Sequence, residues 1–341
     1  MDEEQESTYK SESTPRYHAR DIAKFRVNYN RAYCLLCSAT PSVESYYMAQ
    51  SGKYRYHALH HRYGDAVVPT VQLVDMNNED LYRGKPMISM ALARAVSENI
   101  RAGRQSILLL NRRGYHTYAV CKDCKTVAAC PNCSISMTYH AANNRLMCHY
   151  CGHSEPAYVR CKACGGELTF SGGGTQKAED QLREAFPEAR ILRVDTDTTA
   201  NKYALEKKLN AFANGEYDIM IGTQMVAKGL DFENVTLVGV LSADQSLYSD
   251  DYRSNERTFD LLTQVVGRAG RGRYRGTALI QTHVPENPYL HLAAAQNYES
   301  FFETEIRFRR AMLYPPFADL LQIGFVGEKE DTVRAAAEHF S

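Results

Sequence analysis

CKDC (121–124), CPNC (130–133), CHYC (148–151) and CKAC (161–164) fall within a stretch of 44 residues. Each Cys-x-x-Cys pair can set two thiolates on one face of a tight knuckle. Two such pairs complete a tetrahedral Zn²⁺ shell at about 2.3 Å per sulfur. Cys121, Cys124, Cys130, Cys133, Cys148, Cys151, Cys161 and Cys164 therefore suit two closed structural sites with no open position for chemistry. A disulfide framework or an iron–sulfur centre would use the same residues. Nothing marks the chain as secreted, which weighs against disulfides.

Spacing suggests, loosely, which pairs share a metal. The 14 residues between Cys133 and Cys148 suit two knuckles facing across a hairpin. Ser134–His140 and Arg145–Cys148 would be its strands and Ala141–Asn144 its turn. Cys121/Cys124 are then left to join Cys161/Cys164, because the five residues between Cys124 and Cys130 make a site shared by the first two pairs cramped. His140, His149 and His153 are possible substitute ligands. With eight cysteines present, solvent-facing histidines are the plainer expectation.

The chain has 40 Lys/Arg and 40 Asp/Glu and no net charge, but residues 101–164 hold nine cations against two acids. Such an excess suits phosphate contacts, or simply a solvated face. At 341 residues the chain is long enough for about two domains. No apolar run reaches 18 residues, and the acidic start MDEEQESTYK is not a signal peptide. Thiol-rich knuckles without a secretory signal point to a reducing cytoplasm.

Working outward from the cysteines, QSILLLN (105–111) is a continuous apolar strand of the buried, parallel kind. The cysteine module follows at once, so it interrupts an α/β pattern as an insertion. Ser89 is the expected cap of a helix through Arg101 with Leu92, Val96 and Ile100 on its apolar face. Strands are expected at 68–76, 189–195, 217–223, 234–244 and 276–283, and helices at 176–186, 201–214 and 256–266. This alternation predicts a parallel sheet with helices on both faces. Nearer the start, AYCLLC (32–37) reads as a buried strand, and Pro41-Ser42-Val43-Glu44 as a helix start. Cys34 and Cys37 read as ordinary core cysteines, since residues three apart in a strand point to opposite faces.

Two stretches carry chemistry. IGTQMVAKGLDF (221–232) leaves the end of a strand, where ligands sit in open α/β sheets. QVVGRAGRGR (264–273) presents Gln264, Arg268 and Arg271 around small residues. Two guanidiniums at that spacing suit an anion clamp, of the kind that stabilises phosphoryl transfer. Gly172-Gly173-Gly174-Thr175 leads into a helix and can cradle an anion. No GxxxxGK[ST] loop occurs in the chain.

In order along the chain, DEEQ (2–5), SAT (38–40), IGTQMVAKGLDF and QVVGRAGR resemble motifs II, III, V and VI of superfamily 2 helicases. The closer resemblance is to the PriA family of primosomal replication-restart helicases (primosomal protein N′). It extends to YHARD (17–21), LNRRGY (110–115), GGGT (172–175), DTDTT (195–199) and DYRSNER (251–257). The resemblance implies a RecA-like parallel sheet, the second helicase lobe, carrying a zinc-binding insertion and preceded by a remnant of the first lobe. It implies an ATP-dependent 3′→5′ DNA helicase that restarts stalled forks and loads the primosome, with two Zn²⁺, ATP and Mg²⁺ as cofactors. Forked or single-stranded DNA, primosome proteins and single-strand-binding proteins are the implied partners.

By motif position, Asp2 would hold Mg²⁺ through water and Glu3 would polarise the attacking water. Ser38 and Thr40 would couple nucleotide state to DNA. Thr223 and Gln224 would contact DNA, and Asp231 would approach the nucleotide. Gln264, Arg268 and Arg271 would meet the triphosphate. Tyr9 and Tyr17 fall in what resembles an aromatic-rich loop whose rings stack on bases. The resemblance also nests the inner two cysteine pairs within the outer two. The implied division is 1–66 for the first-lobe remnant, 67–284 for the second lobe with its insertion at 118–169, and 285–341 for a helical segment and the start of a C-terminal domain.

The chain departs from the family at Gln5, where His is usual, and in lacking the P-loop half of the first lobe. It reads as the back half of a helicase, with Asp2 and Glu3 expected to lack a strand that holds them. A zinc-stabilised DNA- or partner-binding module without catalysis is the other reading.

Overall fold

The computed structural model describes the chain except for residues 12–13, 60–67, 111–116, 125, 132–135, 141–143, 149–152, 172–174, 195–201, 224–231, 248–250, 271–273, 322, 324, 326–329 and 341. Six strands form one all-parallel sheet: β1 (Thr70–Asp75), β2 (Gln105–Leu110), β8 (Ile191–Val194), β9 (Ile219–Gly222), β10 (Val235–Ser242) and β11 (Thr277–Thr282). Their spatial order is β1-β11-β10-β2-β9-β8. Parallel neighbours need crossovers, and the intervening helices supply them on both faces.

β2 shows why its sequence reads as an unbroken apolar run. Ile107 and Leu109 point into one core, with Phe212, Phe259 and Phe301. Leu108 and Leu110 point into the other, with Leu92, Val96 and Leu182. Both faces of the strand are thus buried, and alternation in polarity disappears. The second core is roofed by α3 (Met90–Arg101) and α4 (Thr175–Ala185). The first is covered by α5 (Lys202–Ala213), the short α6 (Asp244–Leu247), α7 (Ser254–Val266), α8 (Pro288–Ala294) and α9 (Tyr298–Ala311). Ser89 caps α3, its side chain accepting from the Leu92 N–H at 3.1 Å. Gly239 in β10 lets α3 approach closely, since a Cβ there would lie 2.7 Å from Leu108 Cδ2 and 2.9 Å from Leu92 Cδ1.

The cysteine-rich stretch forms its own antiparallel sheet, ordered β6-β5-β4-β3-β7. Its strands are β3 (Thr117–Cys121), β4 (Thr138–His140), β5 (Arg145–Met147), β6 (Ser154–Pro156) and β7 (Leu168–Ser171). Its first and last strands, β3 and β7, pair with each other. The segment therefore enters and leaves through neighbouring strands, and can sit between β2 and α4 without altering the parallel order. The hairpin expected around 141–144 is present as the β4–β5 pair, although residues 141–143 lie outside the described set.

Residues 1–50 contribute α1 (Ala19–Tyr29) and α2 (Val43–Gln50). The expected buried strand at AYCLLC is not one. Leu35–Cys37 runs beside Met1–Glu4 through three backbone bonds: Met1 amine to the Leu35 carbonyl, Cys37 N–H to the Met1 carbonyl, and Glu4 N–H to the Cys37 carbonyl. It belongs to neither sheet, and Tyr33 and Leu35 are 98% and 72% exposed. Apolar composition alone had suggested burial; without a sheet on its outer side the segment stays in water. Among the described residues no helix is long and apolar enough to cross a membrane.

Candidate functional site

The fold brings the outer two cysteine pairs together. The sulfurs of Cys121, Cys124, Cys161 and Cys164 all lie within 4.8 Å of one another. Cys121 and Cys164 are 3.4 Å apart, and Cys124 and Cys161 3.6 Å. A tetrahedral shell with Zn–S bonds near 2.3 Å needs sulfurs about 3.8 Å apart, so a small contraction or expansion of each edge suffices. The backbone is arranged for thiolates: Ala163 N–H points at Cys161 Sγ and Gly166 N–H at Cys164 Sγ, each at 3.4 Å. Gly165 sits at φ +77°, and a Cβ on Gly166 would fall 3.0 Å from Cys121 Sγ and 2.0 Å from Asp123 Oδ2. CKACGG is thus a knuckle whose glycines are required by its turn and by the packing of the sulfurs.

The thiols hold charge unevenly. The Thr126 hydroxyl and then its backbone pull Cys124 down to about 6. Gly166 N–H favours the Cys164 thiolate, yet its hydrogen bonds with Cys124 and Cys121 push it up to about 12. Four mutually close sulfurs cannot all ionise unaided. A soft divalent cation removes that conflict, and the all-sulfur donor set fits zinc. Of the inner two pairs, Cys130 and Cys148 are buried in one small core with Met137, Leu146 and the Cys121 and Cys161 side chains. Cys133 and Cys151 lie outside the described residues. His153 is described; His149 is not.

Part of the local positive charge is spent internally. Lys122 pairs with Glu167 and Lys162 with Glu155, each at 2.7 Å. Arg104 stacks on the Tyr274 ring, with its guanidinium 4.1 Å from the centroid.

The second cluster lies where residues 1–45 meet α7. Gln264, at the end of α7, directs Nε2 to Glu3 Oε2 at 3.5 Å. Gln5 donates to the same Glu3 oxygen at 2.8 Å and accepts from Ser38 Oγ at 2.6 Å. DEEQ, SAT and the start of QVVGRAGR therefore converge, although they are separated by up to 261 positions. Asp2 is exposed, and its backbone carbonyl accepts from Tyr9 Oη at 2.7 Å. Tyr17 is 49% exposed, and Thr223 is buried at the end of β9. Arg268 is half-buried. Gln224, Asp231 and Arg271 lie outside the described residues.

No described strand holds Asp2 and Glu3, and Asp2 is exposed, but other contacts fix the DEEQ backbone. Backbone bonds to Leu35 and Cys37 pin residues 1–4, and Glu4 anchors them further. Glu4 is 2% exposed and accepts from Ser42 N–H at 2.7 Å, Ser45 Oγ at 3.0 Å and Arg20 at 2.7 Å. Arg20, in turn, donates to Ser42 Oγ and Ser45 Oγ. Sequence reasoning missed this pair; Arg20 was within reach, as the cation of YHARD.

It also missed a buried ionic group behind α7. Arg309 of α9 is fully buried and bonds Glu256 at 2.7 Å and Glu305 at 2.9 Å. Glu44 lies 3.4 Å from Arg309 and accepts from Arg253 at 2.9 Å. Burial, and then the Glu44 charge, push Glu256 upward, against the pull of Arg309. Burial works against Glu44 as well, but Arg253 and Arg309 outweigh it and hold Glu44 below the ordinary carboxylate range. Charged residues on helices usually read as solvated faces, so only the DYRSNER stretch signalled Arg253 and Glu256.

Comparison with known proteins defines first a class. Residues 168–273 match the helicase conserved C-terminal domain, and residues 130–156 match the PriA DNA helicase Cys-rich region domain. The replication restart protein PriA of Bacillus subtilis is 47% identical over 99% of this chain and 42% of its own length. PriA of Chlamydia trachomatis is 42% identical over 97% of this chain and 45% of its own, and PriA of Borreliella burgdorferi 34% over 100% and 51%. The chain belongs to the PriA family, and it spans about half the length of the curated relatives it matches. Among solved structures, RecG bound to a three-way DNA junction aligns with a TM-score of 0.45 at 12% identity, over 90% of this chain and 30% of that one. Dbp5 of S. cerevisiae bound to RNA and ADP BeF3 aligns with a TM-score of 0.39 at 11% identity, over 91% and 62%.

Proposed function

We propose that this chain forms the acid-and-arginine side of the nucleotide site in an ATP-dependent 3′→5′ DNA helicase that acts at stalled replication forks. The observation that carries the reading is the contact of Gln264 with Glu3, which brings the DEEQ and QVVGRAGR stretches to one place. Residues 1–66 belong to the first lobe, 67–284 to the second with the zinc-binding segment at 118–169, and 285–341 to the following domain. ATP and Mg²⁺ would be held by Asp2, Gln264, Asp231, Arg268 and Arg271 together with a P-loop that this chain does not contain. Glu3 orients the water that attacks, and Arg268 and Arg271 offset charge on the transferred phosphoryl. The eight cysteines hold two zincs whose role is structural: each ties a knuckle of the small sheet to its neighbour. Thr223, Gln224, Tyr9 and Tyr17 contact DNA. Primosome and single-strand-binding proteins are the further partners, in the cytoplasm.

A second reading, a zinc-stabilised DNA-binding module without catalysis, is favoured by the cation excess of residues 101–164. Fluorescence anisotropy with labelled single strands and forks separates the two. Both expect weak binding that falls steeply with salt, because phosphate contacts release counterions. The helicase reading further expects affinity to change when ATP or ADP is added together with a chain supplying the P-loop. Affinity that stays flat from low to physiological salt would count against both.

A further inference from the structure

The N-terminus of α2 is gripped from two sides. Ser42 N–H donates to Glu4 Oε1 at 2.7 Å, and Val43 N–H donates to Glu256 Oε1 at 2.8 Å. Glu4 comes from DEEQ, and Glu256 from the first turn of the helix that ends in QVVGRAGR. Both carboxylates are almost fully buried. Each satisfies a backbone donor that has no intrahelical partner, and each is favoured by the helix dipole. Glu256 is itself held: its second oxygen pairs with Arg309 at 2.7 Å, and Arg309 is anchored by Glu305. Glu44, one residue into α2, reaches Arg253 and Arg309 on the same side. Ser38 and Thr40 lie immediately before this turn, and Tyr298 of α9 donates to the Pro41 carbonyl at 2.6 Å.

We propose that Glu256 and Arg309 form a latch that fixes the Ser38–Ser45 turn, and through Ser42 and Glu4 the DEEQ carboxylates, to the helix carrying Gln264. Glu256 is then a positioning residue for nucleotide hydrolysis: it touches neither nucleotide nor metal, but sets the distance between Glu3 and the arginine side. The functional sense of the latch rests on the helicase reading; its existence does not, and its test needs no nucleotide. A carboxylate that merely supported the packing of α7 on α9 would have no reason to spend one oxygen on Val43. Buried ion pairs add little net stability compared with apolar packing, so specificity of arrangement is the natural role for this one.

Amide hydrogen exchange and side-chain amide spectra of the zinc-loaded 341-residue chain decide it. Glu256→Asp keeps the charge for Arg309 but is one carbon too short to serve both partners. It is expected to speed exchange at Ser42 and Val43 at least tenfold and to shift the Gln264 side-chain amide signals. The α7 core amides of Leu261 and Leu262 should exchange as in the parent. Arg309→Met is expected to do the same and Arg309→Lys to restore Val43 to within about threefold of the parent. Should Arg309→Met fail to fold, Glu256→Asp and Arg309→Lys still decide. Unchanged protection at Val43, or loss only in step with Leu261 and Leu262, would overturn the latch.

Discussion

The two sheets of this chain are held together by opposite means. The six-stranded parallel sheet is packed on both faces; Leu108, Leu109, Ile219, Val238 and Ile280 are all 1% exposed or less. The five-stranded antiparallel sheet has a core of small side chains and sulfurs, with Met137, Leu146 and Leu168 as its larger buried members. One sheet can pay for its ordering by hiding hydrocarbon. Among the described residues the other buries less, and thiolate–metal bonds at the proposed zinc sites would supply the difference. A long apolar strand and a Cys-x-x-Cys knuckle are therefore two answers to one problem, the entropy of the chain.

Removing zinc should separate the two most sharply. Metal binding to structural sites contributes on the order of 10 kcal/mol. Treatment with a strong chelator under reducing conditions is expected to abolish exchange protection across β3–β7 while leaving β2, β9 and β10 protected. Metal analysis before treatment should give two zincs per chain. Equal loss of protection in both sheets would break the contrast, and a single zinc would revise the count. In the opposite direction, Phe259→Ala removes a ring stacked on Phe301 with centroids 4.2 Å apart. It should cost about 3–5 kcal/mol, lower the denaturant midpoint of the parallel sheet, and leave the zinc content unchanged.

The smallest effect concerns the sheet's edge. Arg190 and Asp218 meet through two side-chain bonds, at 2.6 and 3.1 Å, between the segments entering β8 and β9. The Arg190 guanidinium holds the Asp218 carboxyl below its ordinary value. A depressed carboxylate contributes stability above its unfolded pKa and loses it as pH falls through the folded one. Arg190→Gln should therefore cost about 0.5 kcal/mol near pH 7, as expected for a largely exposed pair. The difference from the parent should vanish below the ordinary carboxylate range. A difference that persists in acid would mean that packing, not charge, is lost.

The same contrast explains what could be read before folding. The parallel sheet was legible because its central strands β2, β9, β10 and β11 are buried on both sides, so composition alone betrays them; Ser89 and Pro41-Ser42 marked their helices by local hydrogen-bonding chemistry. Spacing pointed only loosely to the joining of Cys121/Cys124 to Cys161/Cys164, as the pairs left over by the inner hairpin, and their four sulfurs do meet. AYCLLC misled because apolar composition reports a preference for burial, not the presence of a neighbour. DEEQ, YHARD and DYRSNER flagged Glu4, Arg20 and Glu256 as residues, but the meetings of Glu4 with Arg20 and of Glu256 with Arg309 and Val43 were illegible for a different reason. Their partners are supplied by the fold, Glu256 reaching a backbone N–H 213 positions away, and no local pattern encodes that meeting.

On the proposed reading, Asp2, Glu3, Arg268 and Arg271 supply the acids and arginines of a nucleotide site, and a P-loop lobe would supply the phosphate cradle. Positioning is most of the catalysis in phosphoryl transfer. The direct measurement is ATP hydrolysis by the purified, zinc-loaded 341-residue chain, with and without single-stranded DNA. No hydrolysis above background is predicted under either condition. Adding a chain that contains a P-loop lobe of the same family should restore it, and Arg271→Ala should then abolish it. DNA-stimulated hydrolysis by the 341-residue chain alone, lost in Arg271→Ala, would contradict the account.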